Sequence, residues 1–402
     1  MKVLYIHTYY IHRGGEDIVY ESEKSLMKES GWEVESVLFN NSKYAVIKFM
    51  LLFFNPFSFV RVCRAIDRFK PDAVHVHNWN FGASPAVFLA ARIKRIPLLH
   101  TIHNFRIICP SGVLFNDKKL FTHSISRIFP LLSVRKKVYK NSMFFTFWLL
   151  TCTRINHLLG TWKSIDRFIC LTNSSKEIIC NSILKVDRNR VFVKPNFVLH
   201  DIQPAPFERS DHFLYVGRLS EEKGIETLLS AFSGSKYSLR IIGDGPLKSL
   251  VTKFVAAADN TSYLGFQKKD FIIQEMSRCS ALIVPSICYE QFGLIIIEAL
   301  SCGTPVIASD IGAPADLICE GITGLHFTAG SPSDLSEKLD KWHSLSETVK
   351  KDYYRNAVKS YCNQFTARKN FDQLTSIYKS TIYEKAYNFQ FPGKRGEISG
   401  LS

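Results

Sequence analysis

The sequence predicts two α/β domains in tandem, each a doubly wound parallel sheet with helices on both faces. Three observations carry that expectation. Short β-rich runs alternate with longer helical ones along the whole chain, and glycine-bearing turns follow the strand runs. The charge also divides unevenly: residues 1–200 hold 29 Lys/Arg against 13 Asp/Glu, whereas residues 201–402 hold 22 against 23. Parallel strand pairs need long crossovers, so buried strands separated by helices imply the doubly wound arrangement. A basic half joined to a near-neutral half implies two domains with different partners.

In the first half, VLYIHT (3–8) is a strand and IVYESEKSLMKESG (18–31) a helix closing at Gly31. VESVLF (34–39), DAVHVHN (72–78) and PLLHTIHN (97–104) are further strands. The proline-rich VKPNFVLHDIQPAPFERSD (193–211) has no periodicity and reads as an interdomain linker. The plan then repeats, with strands HFLYVGR (212–218), SLRIIGDG (238–245), ALIVPS (281–286) and PVIASD (305–310). KGIETLLSAFS (223–233) and LIIIEALSCG (294–303) are helices between them. GDGP (243–246) lacks the spaced third glycine and downstream acid of a dinucleotide fingerprint, so it reads as a turn.

A chain of 402 residues is long enough for two full cores, and its formal charge is +15. Its ten cysteines are scattered without a CxxC pair, which points to free thiols in a reducing cytosol. The first residues lack the apolar stretch of a signal peptide. No uncharged apolar run reaches the ~18 residues of a membrane span. The nearest, AVIKFMLLFFNPFSFV (45–60), is broken by Lys48 and Pro56.

Ligands of such sheets bind beyond the C-terminal strand ends. There the stretch CYEQFGLIIIEALSCGTPVIASD (288–310) places Glu290 before a helix and Glu298 inside it. First-turn N–H groups suit an anion such as a diphosphate, and Gly293 permits close backbone approach. Glu290 and Glu298 could then hold hydroxyls on either side, although one such carboxylate alone reads more readily as a surface or capping charge. In YVGRLSEEKG (215–224), Arg218 follows a strand and Lys223 opens the next helix. Two cations across one loop can converge on a diphosphate. His103, in HNFR, stands at a strand end; from the residues alone a structural histidine fits as well. His75 and His77 share a strand face, but no third metal ligand is evident in the sequence, so a structural role is expected.

Read in order, VGRLSEEKGIETLL, IIGDGP, YLGF (263–266), YEQFGLIIIEALSCGTPVIAS and CEGITGLHF (319–327) resemble the nucleotide-sugar-binding half of retaining glycosyltransferases of family 4. The GGED loop (14–17) and HTIHNFRIICPSGVLF (100–115) look like bacterial members that build surface polysaccharides. The resemblance implies the GT-B architecture, two Rossmann-like domains facing a cleft. It places an acceptor-binding domain at 1–198 and a donor-binding domain at 199–370, with a helix in 371–402 crossing back to the first domain. It also implies that Arg218 and Lys223 neutralise a donor diphosphate, that Glu290 contacts the transferred sugar, and that Glu298 holds the ribose. The backbone at Phe292, Gly293 and Leu294 would line the phosphates. Gly15 would approach them from the other domain, and His103 would face the sugar. IGAPADL (311–317) departs from the usual double glycine and carboxylate, and PNFV (195–198) from the usual Asn-Gly-Val hinge.

The implied activity is transfer of a sugar from a UDP- or GDP-sugar, with retention, to a lipid-linked or glycan acceptor. No Asp-x-Asp occurs, and no metal or other cofactor is expected, because the cations and helix terminus can offset leaving-group charge. A nucleotide-sugar epimerase and a noncatalytic scaffold are the alternatives. The basic runs RVCRAIDRFK (61–70), ARIKR (91–95) and SVRKKVYK (133–140) lie near the apolar stretches 45–60 and SMFFTFWLL (142–150). That combination suits peripheral attachment to an anionic membrane surface at the inner face of the cell membrane. For 142–150 a core helix fits as well. None of the usual nucleic-acid modules is present, so no nucleic-acid partner is expected.

Overall fold

The computed structural model describes residues 1–11, 14–41, 45–199 and 209–391. The centre of the expected linker (200–208) and the end of the C-terminal tail (392–402) lie outside the described residues. The first six-stranded sheet contains β1 (Lys2–Tyr9), β2 (Glu33–Asn40), β3 (Ala73–Val76), β4 (Leu98–Thr101), β7 (Arg167–Cys170) and β8 (Val191–Val193). Between β4 and β7 a short hairpin, β5 (Phe115–Asn116) and β6 (Lys119–Leu120), stands apart. The second sheet contains β9 (His212–Val216), β10 (Ser238–Ile242), β11 (Thr261–Gly265), β12 (Ala281–Val284), β13 (Val306–Ser309) and β14 (Gly324–Phe327).

All pairs within the two six-stranded sheets are parallel. The orders are β2-β1-β3-β4-β7-β8 and β11-β10-β9-β12-β13-β14. The direction of winding therefore reverses between β1 and β3 in the first sheet and between β9 and β12 in the second. Those reversals are where loops diverge and leave a crevice for ligands. The middle six residues of β1 are buried, as a strand covered by helices on both faces requires.

The expected strand 97–104 stops at Thr101, because the Asn104 side chain accepts from Arg106 N at 3.1 Å and starts a tight turn over Phe105–Ile107. The expected helix 18–31 begins earlier, at Gly15, where Asp17 Oδ2 accepts from Gly14 N at 3.0 Å. Local side-chain caps thus move both boundaries. The last long helix, Ala367–Gln390, packs on the first sheet. Its Tyr378 hydroxyl lies 2.6 Å from His75 Nδ1, and Lys385 bonds Asp166 at 2.8 Å. Val198 forms a bridge with Thr366, and Asn370 donates to Pro195 O at 2.8 Å, so PNFV is clasped by the start of that helix.

The apolar stretch 45–60 divides into the helix Ala45–Met50 and the start of the helix Pro56–Phe69. Asn55 caps the latter, accepting from Phe57 N at 3.1 Å, with Pro56 at the position where a missing N–H costs nothing. Trp148 Nε1 donates to Phe49 O at 2.7 Å, and the Phe49 and Phe145 rings meet edge-on at 5.0 Å. The segments 45–60 and 142–150 are therefore neighbours. Their outer faces leave Val46 74% and Phe57 77% exposed, together with Met50, Met143, Phe144 and Phe147, while Leu149 and Leu150 are core. All ten cysteines carry free thiols. Among the described residues, no helix is long and apolar enough to cross a membrane.

Candidate active site

The loops after β9 and β12 build one wall. Arg218 lies two residues beyond β9, exposed, with its carbonyl held by the Tyr215 hydroxyl at 2.9 Å. Lys223 ends a single 3-10 turn, Glu221–Lys223, before the helix Ile225–Phe232. Gly224 follows at φ +70°, and a Cβ there would fall 1.8 Å from Pro285 O. The two loops thus touch backbone to backbone, which only glycine allows. That contact brings Lys223 Nζ to 2.8 Å from Glu290 Oε1, and Ser286 also donates to this carboxylate.

Burial works to raise the Glu290 pKa, but the Lys223 ammonium outweighs it and holds the carboxyl below the usual range. Burial likewise opposes charge on Lys223, and the Glu290 carboxylate more than compensates. Both groups therefore stay ionised. Beyond Glu290, Gly293 at φ +78° opens the helix Leu294–Ser301 with no side-chain cap. Its first-turn N–H groups and the cation pair suit an anion. Phe292 is buried with its ring toward Phe365, so only its backbone is available to a ligand. Glu298, one turn into the helix and largely shielded, pairs with Lys269 at 3.2 Å. The unusual 311–317 segment forms the helix Gly312–Leu317, and Ala313 N donates to Glu290 O at 3.2 Å. It braces the Glu290 loop despite its changed sequence.

The first domain supplies the facing wall. A Cβ added at Gly15 would sit 3.5 Å from Leu294 Cδ1, so the start of the Gly15–Glu29 helix faces the start of the Leu294–Ser301 helix. Bonds across the domains hold this approach. Ser174 N and Oγ donate to Asp316 at 2.7 and 2.8 Å, and Ser175 Oγ lies 2.9 Å from Gln291 Oε1. His103 stands just past β4, half-buried, with Nε2 at 3.0 Å from His77 Nδ1. Burial depresses its pKa well below the ordinary value.

Sequence reasoning missed Glu16, Arg106, Glu23 and Lys194. Asn104 Nδ2 approaches Glu16 Oε2 at 3.4 Å, while Glu16 Oε1 is buried with no partner among the described residues. Burial raises the Glu16 pKa to about 8, Arg106 opposing and Asp17 adding to the rise. Tyr10, Arg106, Lys140, Phe49, Phe145 and Arg218 line an adjoining cavity of about 430 Å³. The signal for Glu16 and Arg106 lay within GGED and HNFR, both singled out for other residues. Glu23 had a pattern signal too: it occupies the inward stripe of its helix with Val19, Tyr20 and Met27.

A buried carboxyl raised to about 8 makes a stability prediction. The unfolded chain releases this proton near pH ~4.3, whereas the native protein holds it until pH about 8, so the unfolded state binds fewer protons between. Native stability is lost as pH rises through that window. The thermal midpoint of the wild type should fall relative to Glu16→Gln from pH ~5 to ~8. Parallel curves for the two proteins would refute the raised value.

The expectation that His75 and His77 lack a third partner is corrected by the structure. Glu23, distant in sequence, brings a carboxylate within 4.8 Å of both rings. Lys194 Nζ already lies 3.0 Å from Glu23 Oε2, and both His75 nitrogens are engaged, by Tyr378 Oη at 2.6 Å and Thr101 Oγ1 at 2.8 Å. An ammonium fills the cationic role at this cluster.

Two glycosyltransferase domains define the class. Residues 17–201 match Glycosyltransferase Family 4, and residues 200–360 match Glycosyl transferases group 1. The protein is a glycosyltransferase of the GT-B type. It is 27% identical over 289 residues to an uncharacterized glycosyltransferase of Methanocaldococcus jannaschii, covering 71% of this chain and 75% of that one. A 41.2 kDa protein in the cps region of Klebsiella pneumoniae is 29% identical over 345 residues, covering 80% and 82%. Among solved structures, Anabaena HepE in complex with UDP superposes with a TM-score of 0.68 at 17% identity, over 94% of this chain and all of that one.

Proposed function

We propose that the protein transfers a sugar from a nucleotide diphosphate sugar to a lipid-linked or glycan acceptor, with retention and without a metal ion. The observation that carries this is the meeting of both switch-point crevices, where Gly15 faces Leu294 across from Lys223 and Glu290. Arg218, Lys223 and the N-terminus of the Leu294–Ser301 helix take the diphosphate and stabilise the charge that develops on it as the glycosidic bond breaks. Glu290 receives hydroxyls of the transferred sugar, and His103 approaches that sugar from the other wall. Glu298 exchanges its Lys269 partner for the ribose diol. The acceptor hydroxyl attacks from the face the phosphate leaves, and the departing phosphate takes its proton.

The solved relative with UDP supports the donor class, and the Klebsiella relative supports a role in bacterial glycan assembly. The two cations and the helix N-terminus proposed to take the diphosphate support a reaction without metal. The exposed apolar faces of 45–60 and 142–150, beside Lys48, Arg61 and Lys140, support peripheral attachment to the anionic inner face of the cell membrane. An epimerase of the same fold would use the same donor site without an acceptor. Donor consumption that requires added acceptor separates the two.

The donor site is tested by thermal midpoints with saturating UDP, GDP and ADP, for wild type and Glu298→Ala. A ligand that binds only the native state adds about 2.7 kcal/mol of stability at a hundredfold excess over Kd and so raises the midpoint. One nucleotide should stabilise the wild type, less so the variant. Absence of any shift would remove the support for this site.

A further inference from the structure

A line of hydrogen bonds runs inward from the cleft. His103 Nε2 lies 3.0 Å from His77 Nδ1, and His77 Nε2 lies 3.1 Å from Glu23 Oε1. Glu23 Oε2 is 3.0 Å from Lys194 Nζ, and Oε1 also accepts from the Tyr5 hydroxyl at 3.1 Å. Glu23, His77 and Lys194 are at most 1% exposed. Lys194 can only donate, and an ionised carboxylate can only accept. The facing ammonium and the His77 ring hold the Glu23 carboxyl well below the usual range although burial opposes this.

Those constraints propagate. Glu23 accepts, so His77 Nε2 carries hydrogen and donates to it. Lys194 balances the Glu23 charge, and in a neutral imidazole one ring nitrogen donates while the other accepts. His77 Nδ1 is then a bare acceptor, and the hydrogen on this bond belongs to His103 Nε2. That leaves His103 Nδ1 unprotonated. With both rings neutral, reversing any one bond would set two donors or two acceptors against each other in a buried chain, which costs the full desolvation of the unpaired group.

We infer that Glu23 and His77 are positioning residues that fix His103 in its Nε2–H tautomer, so that its free Nδ1 accepts a hydroxyl of the donor sugar and selects neutral hexosyl donors over hexuronosyl ones. The sugar part rests on the proposed donor role of His103; the tautomer does not. A neutral sugar offers an O–H to an acceptor nitrogen. At the one carbon where the two sugars differ, a uronate offers only a carboxylate, which needs a donor or a cation there. Burial disfavours the imidazolium that would accommodate it.

The test is 15N NMR of the histidine rings in the full-length protein, with His103 assigned by loss of its signals in His103→Asn. The wild type should show His103 with hydrogen on Nε2. Glu23→Gln should invert the chain, because an amide oxygen kept by Lys194 turns the amide N–H₂ toward His77 and leaves His103 hydrogen on Nδ1. Should that variant not fold, His77→Phe removes the acceptor and should yield a tautomer mixture at His103. A wild type protonated on Nδ1, or variants with an unchanged His103 pattern, would overturn the relay. Binding then tests selection, using glucosyl and glucuronosyl diphosphates of whichever nucleoside stabilises the protein. The wild type should bind the neutral donor at least ~10-fold more tightly, about 1.4 kcal/mol, with the ratio shrinking in the variants. An equal affinity in the wild type overturns the selectivity. Failure of every nucleotide in the thermal assay would instead strike the donor reading, with the ring spectra still deciding the tautomer.

Discussion

Replacing Arg218 by alanine should lower kcat by about 10²–10³-fold, the cost of losing one charged donor from a developing oxyanion. The thermal midpoint should barely change, because Arg218 is exposed and pairs with no carboxylate among the described residues. The contrast with Lys223 is instructive. Lys223 shares its charge with Glu290 at 2.8 Å, so its removal also strands a carboxylate and mixes a structural loss with a chemical one. Arg218 is therefore the cleaner probe of the diphosphate assignment. Steady-state transfer with saturating acceptor measures it, and near-normal turnover would sink that assignment. Lysine at this position should recover only part of the loss, since a point charge cannot reproduce the planar fork.

The largest stability effect is expected at Lys194. Lys194→Met should destabilise the protein by about 3–5 kcal/mol, the usual consequence of leaving a buried charge without its partner. Glu23 would keep its hydrogen bonds to Tyr5 and His77 but lose the ammonium beside it. The residue also follows β8 at the boundary between the domains, so a loss here should spread to both. Urea unfolding of the wild type and variant, compared at pH 7, supplies the number. A difference below about 1 kcal/mol would mean that the pair is solvated or relaxed in a way its 1% exposure does not suggest. Lys194→Met combined with Glu23→Gln should be less damaging than the sum of the two, because the second change removes the charge that the first one strands.

Val46, Phe57, Met143 and Phe144 are exposed on neighbouring helices, with Leu149 and Leu150 turned into the core. The helix that contains 142–150 has an open outer face and a packed inner face. Periodicity could not separate them, since a run such as SMFFTFWLL is apolar on every side.

How much could be read without coordinates follows from the range of the interactions concerned. Strand and helix identity rests on local patterns, so β1, β9 and the Leu294–Ser301 helix were legible from their own residues, and glycine turns marked the loops that carry Arg218, Lys223, Glu290 and Gly293. The boundary errors were also local: Asn104 and Asp17 bond to neighbouring backbone and override the apolar pattern by a few residues.

Contacts between residues far apart in sequence were out of reach. Glu23 and Lys194 are 171 positions apart, and Tyr378 meets His75 across 303. Each looks ordinary where it stands: a helix glutamate, a linker lysine, a late tyrosine. The sequence by itself determined two doubly wound sheets, where their ligand-facing loops lie and which charges those loops carry. Only the tertiary structure decided which loops face each other, that Lys223 and Glu290 pair while Arg218 meets no carboxylate among the described residues, and that two histidines close on a buried carboxylate and ammonium. The reason is physical. Secondary structure follows from interactions within a few residues, whereas the ionisation and tautomer of a buried group depend on the neighbours that the folded sheets bring beside it.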